Sequence, residues 1–237
     1  ERPHEVLYFH KVDDPYSHLT IQCIDKFKSS YDVIFKPVLV GEENPETVHE
    51  PSLYNRYCLE DVKKIAPFYG TEFSADAYPS KELVDKANSI LAAVDDASFG
   101  EIAKTISFAI WKGDHEVLND LYLKYQATDD EVTAKLISGN KIRNEKGYYF
   151  GSAFYYEKEL YWGVDRLQYL EERLTELGVK NNSNNESICP IKLKAPTKLT
   201  AEKKVNLYFY PSLNSPYTFV GSKRVKEMRE DYPINLI

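Results

Sequence analysis

The residues with most chemical potential sit at two places where an apolar run gives way to a polar loop and then to Pro-Tyr. One is Asp13, Asp14, Pro15, Tyr16 and Ser17, which follow the run ending at Phe9; the other is Asn214, Ser215, Pro216, Tyr217 and Thr218, which follow the run ending at Phe209. Proline suits the first turn of a helix, where its missing N–H is no loss. The free N–H groups of that turn and the positive end of the helix dipole favour an anion. The residue before the proline decides what the turn can hold. Asp14 brings its own carboxylate, which suits a helix cap and opposes a second anion by like-charge repulsion. Ser215 brings a hydroxyl, which can cap its helix or hold an anion.

The match between the two stretches continues past the loop without a gap. Pro15, Tyr16, Ser17, Phe27 and Tyr31 face Pro216, Tyr217, Thr218, Met228 and Tyr232. A spacing of about 200 residues is far outside the period of about 20–50 that marks a solenoid. It reads as a duplicated domain whose second copy is cut off at Ile237.

Around each turn the periodicity places the elements that must position it. Glu5 to Phe9 is a β-type run, and Leu19, Cys23, Ile24 and Phe27 recur at helical spacing, predicting one helix from Pro15 to Ser30. Tyr31 to Val40 is a second strand, making a βαβ unit with parallel strands. A helical insert follows at about 51–140. It begins with a helix over Pro51 to Tyr69, breaks at Trp111 to Asp114, and meets a stop signal at Gly139-Asn140. Strands return at Gly147 to Phe150 and Ser152 to Tyr156, and after a tight turn at Glu157-Lys158 the run Glu159 to Trp162 pairs back as a hairpin. A last helix runs from Gly163 through Leu177 and ends at Gly178. The order βαβ, helical insert, ββα is that of an α/β, thioredoxin-like domain with an all-helical insertion. Its expected bounds are 1–179, followed by a linker at 180–204 and the first strand, helix and strand of a second copy at 205–237. Thirty-odd residues cannot bury a core of their own, so that piece either packs on the first domain or belongs to a chain that continues.

Composition narrows the function classes. At 237 residues one or two domains are expected, and 43% hydrophobic with 28% charged residues is ordinary for a globular protein. A net charge of −7 argues against a nucleic-acid partner, whose phosphates need clustered Lys and Arg. No apolar run approaches the ~20 residues that cross a bilayer, so no membrane partner is expected. The many tyrosines suit core edges and interfaces. Cys23, Cys58 and Cys189 form no CxxC pair; Cys23 and Cys58 fall in expected helices as small buried hydrophobes, and Cys189 falls in the linker, where it could react. Unpaired cysteines in odd number suit a reducing, cytoplasmic compartment, although a chain beginning at Glu1 rather than Met leaves room for a removed leader. His4, His10, His18, His49 and His115 are scattered without metal-ligand spacing, and His10 and His18 are expected at the surface. Glu42-Glu43 and Glu171-Glu172 read as solvated faces.

The polar loop before Pro15-Tyr16-Ser17, the Trp162-Gly163-Val164-Asp165-Arg166-Leu167 segment and the helical insert between them together resemble the DsbA-like branch of the thioredoxin fold. That branch contains 2-hydroxychromene-2-carboxylate isomerases and kappa-class glutathione transferases. The resemblance spans roughly Val6 to Gly178, and Val205 to Ile237 matches its first segment again. It implies glutathione as cofactor, with a serine before Pro-Tyr holding the glutathione thiolate, and a small organic acid or electrophile as substrate. It further implies that Trp162, Asp165 and Arg166 hold the γ-glutamyl end, Asp165 meeting the ammonium; N-capping of the last helix is the alternative for Asp165. Two departures stand out. Asp14 replaces the serine, so Asp14, Pro15, Tyr16 and Ser17 form a degenerate version of that site. Gly151, Ser152, Ala153 and Phe154 replace a Gly-x-Pro stretch with a cis proline, so Ser152 stands where the family offers its backbone to the tripeptide. Ser215 keeps the serine and is the catalytic candidate, its missing surroundings to come from beyond Ile237 or from the other subunit of a homodimer. The expected function is therefore a glutathione-dependent isomerase or transferase of the 2-hydroxychromene-2-carboxylate isomerase type. The alternative is a non-catalytic thioredoxin-fold binding or scaffold protein. CxxC oxidoreductase chemistry is excluded, since neither turn carries the cysteine.

Overall fold

Val6, Tyr8, Phe9 and His10 are buried along a single strand, β1 (Glu5–His10), because that strand lies inside a sheet and is covered on both sides. The computed structural model describes residues 3–42, 46–48, 50–181, 186–190 and 204–237. The chain divides into two units, Glu1–Ile191 and Lys192–Ile237.

In the first unit β1 pairs in parallel with β2 (Ile34–Leu39) and antiparallel with β3 (Ala153–Tyr156), which pairs antiparallel with β4 (Glu159–Trp162), giving the order β2-β1-β3-β4. This is the thioredoxin-like sheet. Alternation of side chains sends Tyr8, Phe154 and Tyr156 to one face and Phe9, Ala153 and Val40 to the other. The first face carries the main core, built with the helices α1 (Pro15–Ile21), α2 (Ile24–Ser30), α3 (Pro51–Tyr69), α4 (Lys81–Ala93), α5 (Phe99–Lys112) and, after the hairpin, α8 (Val164–Glu176). Between α5 and β3 come α6 (His115–Tyr122) and α7 (Asp129–Glu145). Ile142 of α7 packs with the smaller cluster on the second face.

Several boundaries differ from the periodicity. The expected helix Pro15–Ser30 is interrupted at Gln22-Cys23, where the Cys23 N–H bonds the Thr20 carbonyl at 3.0 Å, one residue tighter than an α-helical bond. There Gln22 is committed elsewhere: its amide nitrogen donates to the Glu72 carbonyl at 2.9 Å and its carbonyl accepts the Glu72 N–H at 2.8 Å. Gly147 to Phe150 is not a strand. Gly147 has φ 79°, and the Tyr149 ring stacks on Tyr148 and meets Phe150 edge-on instead of alternating across a sheet. Gly139 does not stop α7, which runs on to Glu145; a Cβ there would lie 1.9 Å from the Leu39 carbonyl oxygen. That glycine is where helix and strand backbones touch. The turn Glu157-Lys158 takes left-handed backbone at both residues (φ 45° and 75°), as a two-residue hairpin loop requires.

His10, His18 and Glu171, expected at the surface, are buried, and so is Cys189, placed by composition in a linker. His18, Glu171 and Cys189 found partners far along the chain, whereas His10 lies 3.1 Å from the hydroxyl of Tyr8 on its own strand. In the second unit β5 (Val205–Leu207) and β6 (Ile234–Leu236) pair in parallel on either side of α9 (Pro216–Asp231). None of the residues of α9 is buried. No helix among the described residues is long and apolar enough to cross a membrane.

Candidate functional site

The turn between β1 and α1 is closed by Asp14. Its carboxylate accepts the Tyr16 N–H at 3.2 Å, the Ser17 N–H at 2.9 Å and the Ser17 hydroxyl at 2.7 Å. The Ser17 oxygen in turn accepts the Lys11 N–H at 3.3 Å. The donors that would otherwise face an anion at this helix end are therefore taken by the protein's own carboxylate. Gly151 presses on the same turn: a Cβ there would lie 2.9 Å from Lys11 Cβ, 2.9 Å from Ser17 Oγ and 3.0 Å from Asp14 Oδ2. Among the described residues no peptide bond is cis.

Ser152 is wholly buried, with φ 56°; its hydroxyl lies 2.6 Å from that of Thr20 and its carbonyl accepts the Gly163 N–H at 2.7 Å. It ties α1, β3 and the start of α8 together and presents no side chain to solvent. Gly163, at φ 75°, takes the cap position of α8, so Asp165 is the second residue of the helix rather than its cap.

Beside the turn lies a cavity of ≈ 340 Å³, lined by Tyr16, Tyr54, Tyr57, Asp61, Ile65, Tyr69, Trp162, Gly163 and Asp165. The Tyr16 hydroxyl donates to Asp61 at 2.8 Å, and its ring lies 5.1 Å from that of Trp162. Phe150 stacks on Trp162 at 5.8 Å and on Tyr54 at 5.8 Å. The Trp162 indole nitrogen is buried without a hydrogen-bond partner among the described residues. A buried donor left unpaired costs about 1–3 kcal/mol, so a ligand acceptor reaching it has a reward to collect. Burial raises the Asp165 carboxyl above its usual range, against the nearby Arg166 guanidinium, which lies 3.5 Å away. Burial likewise raises the Tyr16 phenol, keeping it a hydrogen-bond donor. A second cavity of ≈ 330 Å³ also borders Tyr54 and is lined by Lys11, Asp13, Asp14, Pro15 and Cys58. Among the described residues no group of three or more His, Cys, Asp or Glu side chains is placed to hold a metal ion.

The structure thus gathers Asp14, Tyr16, Trp162 and Asp165 around one turn and the two cavities beside it, and sets Ser152 behind them in the core. Ser215 lies in the other unit, at the cap position of α9, where its side chain makes no capping hydrogen bond. Tyr54, Tyr57, Asp61 and Tyr69, supplied by the helical insert, were missed by sequence reasoning. The signal was present, because these residues recur at three-, four- and eight-residue steps along α3, on one stripe of the helix. The apolar stripe Leu59, Val62 and Ala66 on the buried side of the same helix is the stronger periodic signal.

The first unit has a mixed α/β, thioredoxin-like fold of the DsbA kind. Among solved structures it is similar to a 2-hydroxychromene-2-carboxylate isomerase, with TM-score 0.56 and 16% identity over 73% of this chain and 96% of that one. It is similar also to a provisionally assigned protein disulfide isomerase from Nitrosomonas europaea, with TM-score 0.53 and 12% identity over 74% of this chain and 99% of that one. No family model matches the chain, and no curated protein matches it. At such identities the likeness is one of fold.

Proposed function

We propose that the first unit binds a small molecule carrying an ammonium group and a hydrogen-bond acceptor, glutathione being the first to test, without ionising a thiol at its own helix turn. The observation that carries this reading is a cavity lined by Asp61, Asp165 and Trp162, together with the buried Trp162 indole N–H, which has no hydrogen-bond partner among the described residues. The two ends of glutathione fare differently against these residues. Asp165 and Asp61 suit its ammonium, and the indole N–H suits a carboxylate or carbonyl oxygen. The thiol end meets Asp14, and a thiolate beside a carboxylate is disfavoured.

The finer reading is a glutathione-dependent isomerase or transferase of the 2-hydroxychromene-2-carboxylate isomerase type, acting on a small organic acid or electrophile. In this chain it rests on Ser215, whose hydroxyl makes no cap bond. That makes it the hydroxyl available to a thiol, within what we take as the beginning of a second thioredoxin-like copy.

Isothermal titration of the full chain with glutathione and with S-methylglutathione separates the two. Both ligands should bind the wild type, Trp162→Phe should weaken each about tenfold, as loss of one hydrogen bond does, and Ser215→Ala should leave the first-unit binding unchanged. Absence of binding by either ligand, or affinity indifferent to Trp162→Phe and Asp165→Asn, would overturn the binding reading. Isomerase turnover surviving in Ser215→Ala would overturn the finer one.

A further inference from the structure

After α8 the chain comes back onto the first unit, and the residue it buries there is a cysteine. Cys189 is fully buried and its sulfur lies 3.3 Å from that of Cys23, itself buried at the break between α1 and α2. The segment is held in place by Glu171, a buried carboxylate of α8. Glu171 accepts the Ile188 N–H at 3.0 Å, the Cys189 N–H at 3.5 Å, the Ser187 hydroxyl at 2.5 Å and the Tyr31 hydroxyl at 3.2 Å. A buried carboxylate is tolerated only when so satisfied, so residues 187–189 and Glu171 secure one another.

We propose that Cys23 and Cys189 form an oxidisable dithiol, closed to a disulfide by exchange with a small-molecule disulfide, and that the bond locks the end of the first unit. A free buried cysteine is usually a small hydrophobe, but packing alone does not require two of the chain's three cysteines to meet sulfur to sulfur. Closing the bond needs the sulfurs to approach from 3.3 Å to about 2.05 Å, a shift within side-chain reach. The exchange runs in two displacements. One protein sulfur attacks the small disulfide, forming a mixed disulfide and releasing one small thiol. The second protein sulfur then attacks the protein sulfur of that mixed disulfide and releases the other small thiol. The two protons leave with the two small thiols, the protein pair is oxidised by two electrons, and the small disulfide is reduced by two.

The local chemistry suits Cys23 as the thiolate. Either sulfur can donate in this contact; with the Cys189 S–H donating, the hydrogen bond lowers the Cys23 thiol against the opposing effect of burial and, with burial, raises Cys189. These are two views of one proton held between two sulfurs. Because both sulfurs are buried, exchange must await release of residues 187–189 from Glu171, so Glu171 governs the rate. Once closed, the bond fixes the point at which the chain leaves the first unit.

The test is to equilibrate the full chain with graded cystamine and cysteamine, quench by alkylation, and read intact mass and linked peptides. The expected result is joint loss of two alkylation sites, with a Cys23–Cys189 linked peptide and Cys58 still labelled. Cys58→Ser should leave the link intact, Cys23→Ser and Cys189→Ser should each abolish it, and Glu171→Gln should speed its formation several-fold. Three labelled sites at the most oxidising ratio, or a link through Cys58 or between chains, would overturn the proposal. Circular dichroism of each serine variant keeps a folding failure from being read as loss of the link.

Discussion

Asp14→Ser is the most telling perturbation, because it changes the charge of the turn while leaving its cap. Serine ranks with aspartate as an N-cap, so folding stability should change by no more than about 1 kcal/mol. The electrostatic change is larger. Two unit charges about 4 Å apart interact by about 4 kcal/mol at an effective dielectric of about 20, and one pKa unit is about 1.4 kcal/mol. A thiol lodged at the turn would thus feel up to about three units of upward pressure from Asp14. Asp14 is partly exposed, so screening trims this, and a fall of at least about one unit is the expectation for Asp14→Ser. The assay is the ultraviolet absorbance of thiolate, titrated with pH for glutathione bound to each protein. In the wild type the bound thiol should ionise no more readily than free thiol; in Asp14→Ser it should ionise at clearly lower pH. A thiolate already present on the wild type at neutral pH would refute the reasoning, since the carboxylate would then not be setting the charge of the turn.

Gly139→Ala places a methyl 1.9 Å from the Leu39 carbonyl oxygen, and backbone cannot step aside as a side chain can. A loss of about 3 kcal/mol or more in urea denaturation is expected, at the upper end of overpacking costs. Acid should destabilise the first unit early. Burial, with a smaller push from His18, lowers His10 to about 3, and burial lowers His18 to about 4 despite its hydrogen bonds to Glu72 and Ser107. The unfolded chain takes up protons near pH 6.5 and the folded one does not, so stability is full above about 6.5 and falls as pH drops toward about 3–4, by about 2 kcal/mol per histidine at pH 5. Denaturant midpoints at pH 7 and pH 5 check this, and His10→Gln should flatten the slope. Oxidation of the Cys23–Cys189 pair links positions 166 residues apart. Chain entropy alone would then stabilise the first unit by up to about 5 kcal/mol, visible as a higher thermal midpoint that reductant reverses.

Element types were legible wherever the pattern is local. The run into Phe9, the helix Pro51–Tyr69 and the hairpin about Glu157-Lys158 were readable because each is specified by neighbours a few residues apart. The Asp14 cap was readable for the same reason, since its donors are two and three residues on. Half of the candidate site was not. Trp162 and Asp165 come from one end of the domain and Tyr54, Tyr57 and Asp61 from the helical insert, and nothing local says that α3 lies against the start of α8. Gly139 shows how a correct rule can mislead: glycine after an apolar stripe is a stop signal, but here its missing side chain serves a close helix–strand approach.

By itself the sequence determined the α/β class, the two proline-led turns with their contrast of Asp14 and Ser215, and the order of strands and helices apart from the break at Gln22-Cys23 and the strand expected at Gly147 to Phe150. Those follow from backbone preferences and short-range periodicity, which act before the chain has collapsed. Tertiary structure decided which polar groups ended in the core. His10 and His18 were buried by elements far along the chain, Glu171 was matched to donors that return after α8, and Cys189 was brought to Cys23. Burial of a polar group depends on partners supplied by distant segments, and that pairing does not exist until the segments are packed.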